Sequence, residues 1–131
     1  MSQPVMFYAA ISALLLVWLS ARVIQGRVAF KIDMGDGGNE EMKRRIRVQA
    51  NFIEYVPLAL ILMLFVQQAG FSTWIVHVLG VTLIAARVFH AMGLGRFSGV
   101  SKGRFIGASV TLIVLVAGAV LSLLGAFGVK F

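Results

Sequence analysis

Residues 55–86 read YVPLALILMLFVQQAGFSTWIVHVLGVTLIAA, and this stretch of 32 positions contains no charged side chain. It is too long for a single membrane-spanning helix, which needs about 20 apolar residues. The segment QQAGFST at 67–73 divides it, because polar and small residues of this kind favour a turn. We therefore predict two spans joined by a short turn, with helix two over about 40–68 and helix three over about 72–94.

Two further uncharged runs flank this pair of spans. Residues 1–21 carry no charged side chain, and none lies between Phe105 and Val129. These runs predict a first span over about 4–26 and a fourth over about 103–128. No basic residue precedes the first apolar run, which favours a retained transmembrane helix over a cleaved secretory signal. The predicted fold class is an all-α membrane protein, a four-transmembrane-helix bundle.

Composition supports this interpretation and excludes several classes of function. Charged residues make up 13% of the chain, against about 25% in soluble domains. The absence of cysteine excludes disulfide scaffolds, thiolate metal sites and cysteine nucleophiles, and we expect no metal. The length predicts one domain, 1–131. We interpret the net charge of +7 as a sign of membrane topology, so no nucleic-acid partner is expected.

The basic residues are distributed unevenly along the chain. Of 12 Lys and Arg residues, 11 lie at or near the connections 22–47 and 87–104, and the turn at 67–73 has none. Cytoplasmic connections carry an excess of Lys and Arg. We therefore predict that both basic connections face the cytoplasm and that both termini lie on the other side of the membrane.

Polar residues cluster near the predicted cytoplasmic ends of the spans. Arg47, Asn51 and Glu54 are spaced i, i+4, i+7 and share one helical face, while Arg87 and His90 form a stripe on helix three. Ionisable residues inside spans are costly and usually functional. Arginines bind carboxylates bidentately, and a carboxylate binds an ammonium group. This set predicts a site for a small polyanion that also carries an ammonium.

Two structural alternatives stay open at this point. Glu54 could pair with Arg87 or Arg104 merely to neutralise a polar helix interface. On helix four, small residues such as Gly107 and Gly118 allow helices to approach closely. They could pack within one bundle or join several copies.

A longer motif places these residues in a family context. The stretch from Arg47 to Leu58, RVQANFIEYVPL, has the pattern R-x-Q-x-N-x-x-E-Y-x-P-L. It resembles the signature of the MAPEG superfamily, the membrane-associated proteins in eicosanoid and glutathione metabolism, including small bacterial members. Residues 86–93, ARVFHAMG, are similar to the helix-three segment of that family. The resemblance implies a homotrimer in the bacterial inner membrane, with glutathione as co-substrate between adjacent subunits, open to the cytoplasm.

The resemblance also implies roles by position. The implied glutathione-binding residues are Arg27, Arg47, Gln49, Asn51, Glu54, Arg87 and His90. Arg22 is the alternative to the helix-one arginine. Arg104, at the start of helix four, is the implied catalytic residue that activates the thiol, with Lys102 or Arg96 as alternatives. Leu94 stands where several family enzymes have a tyrosine, which removes one hydroxyl contact.

Three functions are compatible with these observations to different degrees. The first is a glutathione transferase or peroxidase in lipid metabolism or detoxification, acting by thiolate attack on hydrophobic electrophiles dissolved in the lipid bilayer. The second is a non-catalytic lipid-binding or scaffold protein on the same fold. The third is a small four-span multidrug exporter, but that class depends on an acid in the first span, and residues 1–21 contain none.

Overall fold

The computed structural model describes residues 3–96 and 102–131, with backbone alone for 93–96. This part of the chain forms four α-helices: α1 Pro4–Phe30, α2 Glu40–Gln68, α3 Thr73–Arg96 and α4 Lys102–Ala126. The predicted all-helical architecture of four spans is confirmed. α2 begins and ends where the sequence predicts, and the ends of α3 and α4 differ from the prediction by at most two residues.

The predicted end of the first span is wrong, because α1 continues four residues beyond residue 26 to Phe30. Gly26 does not stop the helix; it is buried where α1 meets α2. A Cβ atom at Gly26 would lie 2.9 Å from Met42 Sδ and 3.2 Å from Arg45 Cδ. The helix ends instead at Lys31, whose φ of 54° places it in the left-handed region that commonly terminates helices.

The start of α2 is fixed by its capping residue. Asn39 has extended backbone geometry, and its Oδ1 accepts a hydrogen bond of 2.9 Å from the Met42 backbone N–H. Glu40 and Glu41 occupy the first turn, where negative charge is stabilised by the helix dipole. The cap therefore explains why α2 begins at Glu40.

α2 and α3 each contact the other three helices, so the apolar core lies around this pair. The most deeply buried core residues come from α2 and α3 and include Val56, Met63, Val66, Val76 and Leu83. All four helices are long and apolar enough to cross a membrane, yet only 22% to 44% of each most apolar segment is buried inside the bundle. Large apolar side chains therefore cover the outside of the bundle, as a hydrocarbon environment requires.

Hydrogen bonds also join the helices at the end of the bundle where α1 begins. The Tyr8 hydroxyl lies 2.9 Å from Nδ1 of His77. Gln67 Oε1 accepts a bond of 3.1 Å from the backbone N–H of Val5, one of the amides that a helix N-terminus leaves without an internal partner. Polar side chains at this end thus satisfy groups of the bundle itself.

Small residues of α4 pack inside the bundle. A Cβ atom at Gly107 would lie 2.5 Å from the carbonyl oxygen of Ala86 and 2.7 Å from the backbone N of His90. At Gly118 the nearest atom to such a Cβ would be Leu62 Cβ, at 3.1 Å. Gly107 therefore lets α4 approach the backbone of α3 directly, which decides where α4 places its polar first turns.

We expect Gly107→Ala to destabilise the bundle, because the added methyl group meets backbone atoms of α3 that cannot move aside. Overpacking of this kind costs about 1–3 kcal/mol, more than the ~1 kcal/mol that alanine gains over glycine in a helix. Thermal unfolding in detergent measures the effect. Gly118→Ala is the matched control, since its methyl group meets a side chain; equal unfolding temperatures for the two variants would contradict the prediction.

Candidate functional site

A polar cavity of about 360 Å³ opens between α2, α3 and α4. Its described lining residues are Lys43, Arg47, Asn51, His90, Arg104 and Ala108. Its volume falls in the range of sites for small molecules, about 300–1,000 Å³. Four of the predicted site residues, one of them the predicted thiol-activating arginine, therefore converge on one cavity.

A buried arginine forms the base of this arrangement. Arg87 is only 3% exposed. Its Nη2 donates a hydrogen bond of 2.7 Å to Asn51 Oδ1 and lies 3.3 Å from Nδ1 of His90, while its Nη1 lies 3.3 Å from Thr111 Oγ1. One guanidinium thus connects α2, α3 and α4 and holds the amide and the imidazole that line the cavity.

The contact with Arg87 also determines the tautomer of His90. A guanidinium only donates hydrogen bonds, so Nδ1 of His90 has to accept. The neutral ring then carries its hydrogen on Nε2. His90 is therefore a donor on the side of the ring that faces away from Arg87.

Sequence reasoning missed Thr111, which completes the network. Its hydroxyl donates a hydrogen bond of 2.7 Å to the carbonyl oxygen of Gly107 and accepts from Arg87, and the residue is 1% exposed. A usable signal was present: a threonine inside an otherwise apolar span needs a hydrogen-bond partner, and its spacing of four from Gly107 supplies one.

One of the cations that line the cavity, Arg47, takes part in an ion pair. Arg47 Nη1 lies 3.8 Å from Glu54 Oε1, and both side chains are about half exposed, at 55% and 49%. Arg47 and Glu54 therefore lie on the same face of α2, as the sequence predicts. Arg87, which the structural alternative paired with Glu54, donates to Asn51 instead.

Two predicted glutathione-binding residues lie elsewhere in the chain. The Arg27 guanidinium donates to the carbonyl oxygens of Ile32 and Gly35, at 3.5 and 3.0 Å. Gln49 Nε2 donates to Ser20 Oγ on α1 at 2.9 Å. Within one chain, both residues are held against α1 or the loop that follows it and do not line the cavity.

Three residues are predicted as candidates for thiol activation, and the structure describes the side chains of two of them, Arg104 and Lys102. Lys102 is exposed at the first position of α4 and does not line the cavity. The side chains of Arg96 and of Leu94 lie outside the described residues. Of the two candidates whose side chains are described, Arg104 is the one at the cavity.

The charges of the cavity favour an anionic ligand. Lys43, Arg47 and Arg104 contribute three positive charges to its described lining. Glu54, beside Arg47, contributes one negative charge. The surplus of two positive charges at the mouth of an apolar bundle attracts anions and repels cations.

The family profile that matches the chain is that of the MAPEG family, over residues 5–124. The chain belongs to the MAPEG family. It is 43% identical over 86 residues to the inner membrane protein YecN of Escherichia coli strain K12, and the same values hold for YecN of Escherichia coli O6:H1. The matched region covers 66% of this chain and 66% of the relative. Together with the four apolar helices, these findings identify this MAPEG chain as an integral membrane protein.

We expect Thr111→Val to lower the stability of the bundle. The substitution keeps the shape of the side chain and removes an acceptor for the buried Arg87 guanidinium. An unsatisfied buried donor costs about 1–3 kcal/mol, more when it is charged. Thermal unfolding in detergent measures the change. Ser122→Ala on the same helix is the control, because that hydroxyl bonds the Leu62 carbonyl at a long 3.4 Å. An unchanged unfolding temperature for Thr111→Val would show that the network does not depend on this hydroxyl.

Proposed function

We propose that this chain is a membrane-bound glutathione transferase, which joins the thiolate of glutathione to hydrophobic electrophiles dissolved in the bilayer. The observation that carries the proposal is the convergence of Arg47, Asn51, His90 and Arg104 on one positively charged cavity. The apolar outer surface of the same bundle supports it, since a substrate dissolved in the bilayer reaches such a site from the hydrocarbon side.

The polar groups of the cavity match those of glutathione. This tripeptide carries two carboxylates, one ammonium group and one thiol. Arg47 and Lys43 are suited to bind carboxylates, and Glu54, which lies beside Arg47, is suited to bind the ammonium. The Asn51 amide and Nε2–H of His90 supply neutral hydrogen bonds between these charged ends.

The charge of the cavity also favours the reactive form of the ligand. Glutathione with a protonated thiol has a net charge of −1, and the thiolate form has −2. The formal surplus of two positive charges at the cavity therefore matches the thiolate. Arg104 lies in the first turn of α4, where the helix amides add a partial positive charge, and nearby positive charge lowers the pKa of a thiol.

The reaction that follows needs no nucleophile from the protein. The proton of the thiol passes to water at the cavity mouth. A sulfur electron pair then forms the C–S bond to the electrophilic carbon, and the displaced electron pair departs with the leaving group. The roles of the protein are to orient glutathione, to hold the thiolate and to bring it to the edge of the hydrocarbon.

A second copy of the chain would complete the site. Arg27 and Gln49 lie against α1 or the loop after it, away from the cavity of their own chain. In a homotrimer with glutathione between adjacent subunits, these residues would approach the cavity of the neighbour. We propose this assembly, with the cavity open to the cytoplasm and both termini on the opposite side.

One observation favours a second function, a non-catalytic lipid-binding or scaffold protein. Arg47 already pairs with Glu54, and Arg87 already bonds Asn51, His90 and Thr111. A network of this kind could serve packing alone. Glutathione binding separates the two functions.

We expect Arg47→Ala and Glu54→Gln each to weaken glutathione binding by about tenfold or more. The reason is the loss of a charged hydrogen bond, which contributes about 1.5–3 kcal/mol. Isothermal titration of the detergent-solubilised protein measures the affinity. Arg44→Ala is the matched control, since this arginine of the same helix pairs with Glu41 and does not line the cavity. Wild-type affinity in both test variants would exclude Arg47 and Glu54 from the glutathione site, whereas a wild-type protein that does not bind glutathione would favour the scaffold function.

We expect wild-type protein to give the ultraviolet absorbance of a thiolate when glutathione is added at neutral pH. A free thiol has a pKa of about 8.5 and is mostly protonated there. In Arg104→Ala the band should be strongly reduced and should titrate at higher pH, because the cationic group beside sulfur is lost. Lys102→Ala is the control and should keep the band. A full band in Arg104→Ala would exclude this residue from thiol activation, and loss in Lys102→Ala would reassign the role.

A further inference from the structure

A second cluster of basic residues lies at the seam between α1 and α2, apart from the cavity. Arg22, Arg44 and Arg45 line a shallow recess there with Leu19 and Val48. All three arginines surround a single carboxylate. Glu41 lies 3.1 Å from the Arg45 guanidinium and 3.9 Å from those of Arg22 and Arg44.

The cluster retains a surplus of positive charge after this pairing. Three guanidiniums around one carboxylate leave two net positive charges, and the arginine side chains are only 21% to 29% exposed. Partial burial reduces the screening of these charges by water. A ligand that brings negative charge to the recess would therefore be attracted more strongly than by an exposed basic patch.

The surroundings of the cluster are those of a membrane boundary. Arg22 is the first charged residue after the apolar run of α1, and its guanidinium lies 5.4 Å from the centroid of the Trp18 ring. Tryptophan is enriched at the level of the lipid headgroups. The cluster thus lies where phospholipid phosphates occur.

A recess of about 50 Å³ with a mostly apolar lining lies next to the cluster, between α1, α2 and α3. Leu19 lines both recesses. The other lining residues are the apolar Leu15, Trp18, Phe52, Val88, Ala91 and Met92 and the buried Arg87. A ligand here can place an anionic group among the arginines and a hydrocarbon segment beside Trp18.

We infer that the α1–α2 seam binds an anionic phospholipid, with its phosphate among Arg22, Arg44 and Arg45 and the start of an acyl chain along Trp18 and Leu19. A free phosphate would use the cationic groups but not the adjoining apolar recess. The site is distinct from the cavity that holds Arg47. It also differs from the position of Arg27, which lies about 140° from Arg22 around the axis of α1.

The two tryptophans allow a direct test. Trp18 is on α1 beside the cluster, and Trp74 is near the start of α3. The variant Trp74→Phe keeps Trp18 as a fluorescent reporter at the site. The variant Trp18→Phe keeps Trp74 as a reporter away from it. The full chain is reconstituted in vesicles of phosphatidylcholine that contain a small fraction of lipid with brominated acyl chains, which quench tryptophan. The brominated lipid is either phosphatidylglycerol or phosphatidylcholine.

We expect brominated phosphatidylglycerol to quench Trp18 more strongly than brominated phosphatidylcholine at the same mole fraction, with no such preference at Trp74. Removing one charge with Arg22→Gln or Arg44→Gln should reduce the preference for phosphatidylglycerol by about fivefold each, since a basic residue near anionic lipid contributes about that factor. Lys31→Gln is the matched control, because this exposed lysine at the end of α1 lines neither recess, and it should keep the preference.

Three outcomes would overturn the inference. Equal quenching of Trp18 by the two brominated lipids would show that the seam does not select charge. An undiminished preference in both arginine variants would place the selection elsewhere. Displacement of brominated phosphatidylglycerol by inorganic phosphate, beyond the effect of chloride at equal ionic strength, would make the seam a site for soluble phosphate. None of these outcomes bears on glutathione binding, which is measured separately.

Discussion

The buried guanidinium of Arg87 is the constraint on which the arrangement of the helices at the site depends. A charge inside an apolar bundle is tolerated only when protein groups satisfy it. The two terminal nitrogens of Arg87 have acceptors on two other helices, Asn51 on α2 and Thr111 on α4, and in His90 one turn further along its own helix, while its buried Nε has no acceptor among the described residues. Since α4 can supply Thr111 only when it lies close to α3, the glycine contact at Gly107 and the hydrogen bonds of Arg87 support each other.

This arrangement explains how an apolar protein presents a polar cavity. The outward surfaces of the helices are apolar and suit lipid, so polar side chains near the membrane boundary have to turn towards one another. Asn51 Oδ1 and His90 Nδ1 contact the Arg87 guanidinium and so stabilise the bundle. Their remaining polar atoms are left for the cavity, which Arg47 and Arg104 also line. A single buried charge therefore positions the neutral groups that line the cavity beside its cations.

Much of the fold could be predicted from the sequence because the decisive signals are local. Uncharged runs of sufficient length locate four helices, and the polar turn at 67–73 separates the middle pair. The end of α1 could not be predicted, because Gly26 is a stop signal in isolation and a contact point only in the presence of Met42 and Arg45. The burial of the Arg87 side chain could not be predicted either, because it depends on contacts between distant parts of the chain. Its acceptor Thr111 lies 24 residues away along the chain, and nothing local connects them.

The candidate site could be predicted only in part, because residue type does not determine environment. Arg44, Arg45 and Arg47 are almost consecutive, yet Arg47 lines the cavity while the other two face Glu41. The helical repeat separates them, since each residue turns the side chain by about 100°. The apolar face of α2 that is buried in the bundle, with Val48, Phe52 and Val56, sets which arginine faces which neighbour. A shift of one residue along α2 would bring Ile46 or Val48 to the place of Arg47, without changing composition, hydropathy or net charge. The neighbour that each arginine of this stretch contacts therefore depends on how α2 is oriented in the bundle. The number of basic residues in the sequence does not determine that orientation.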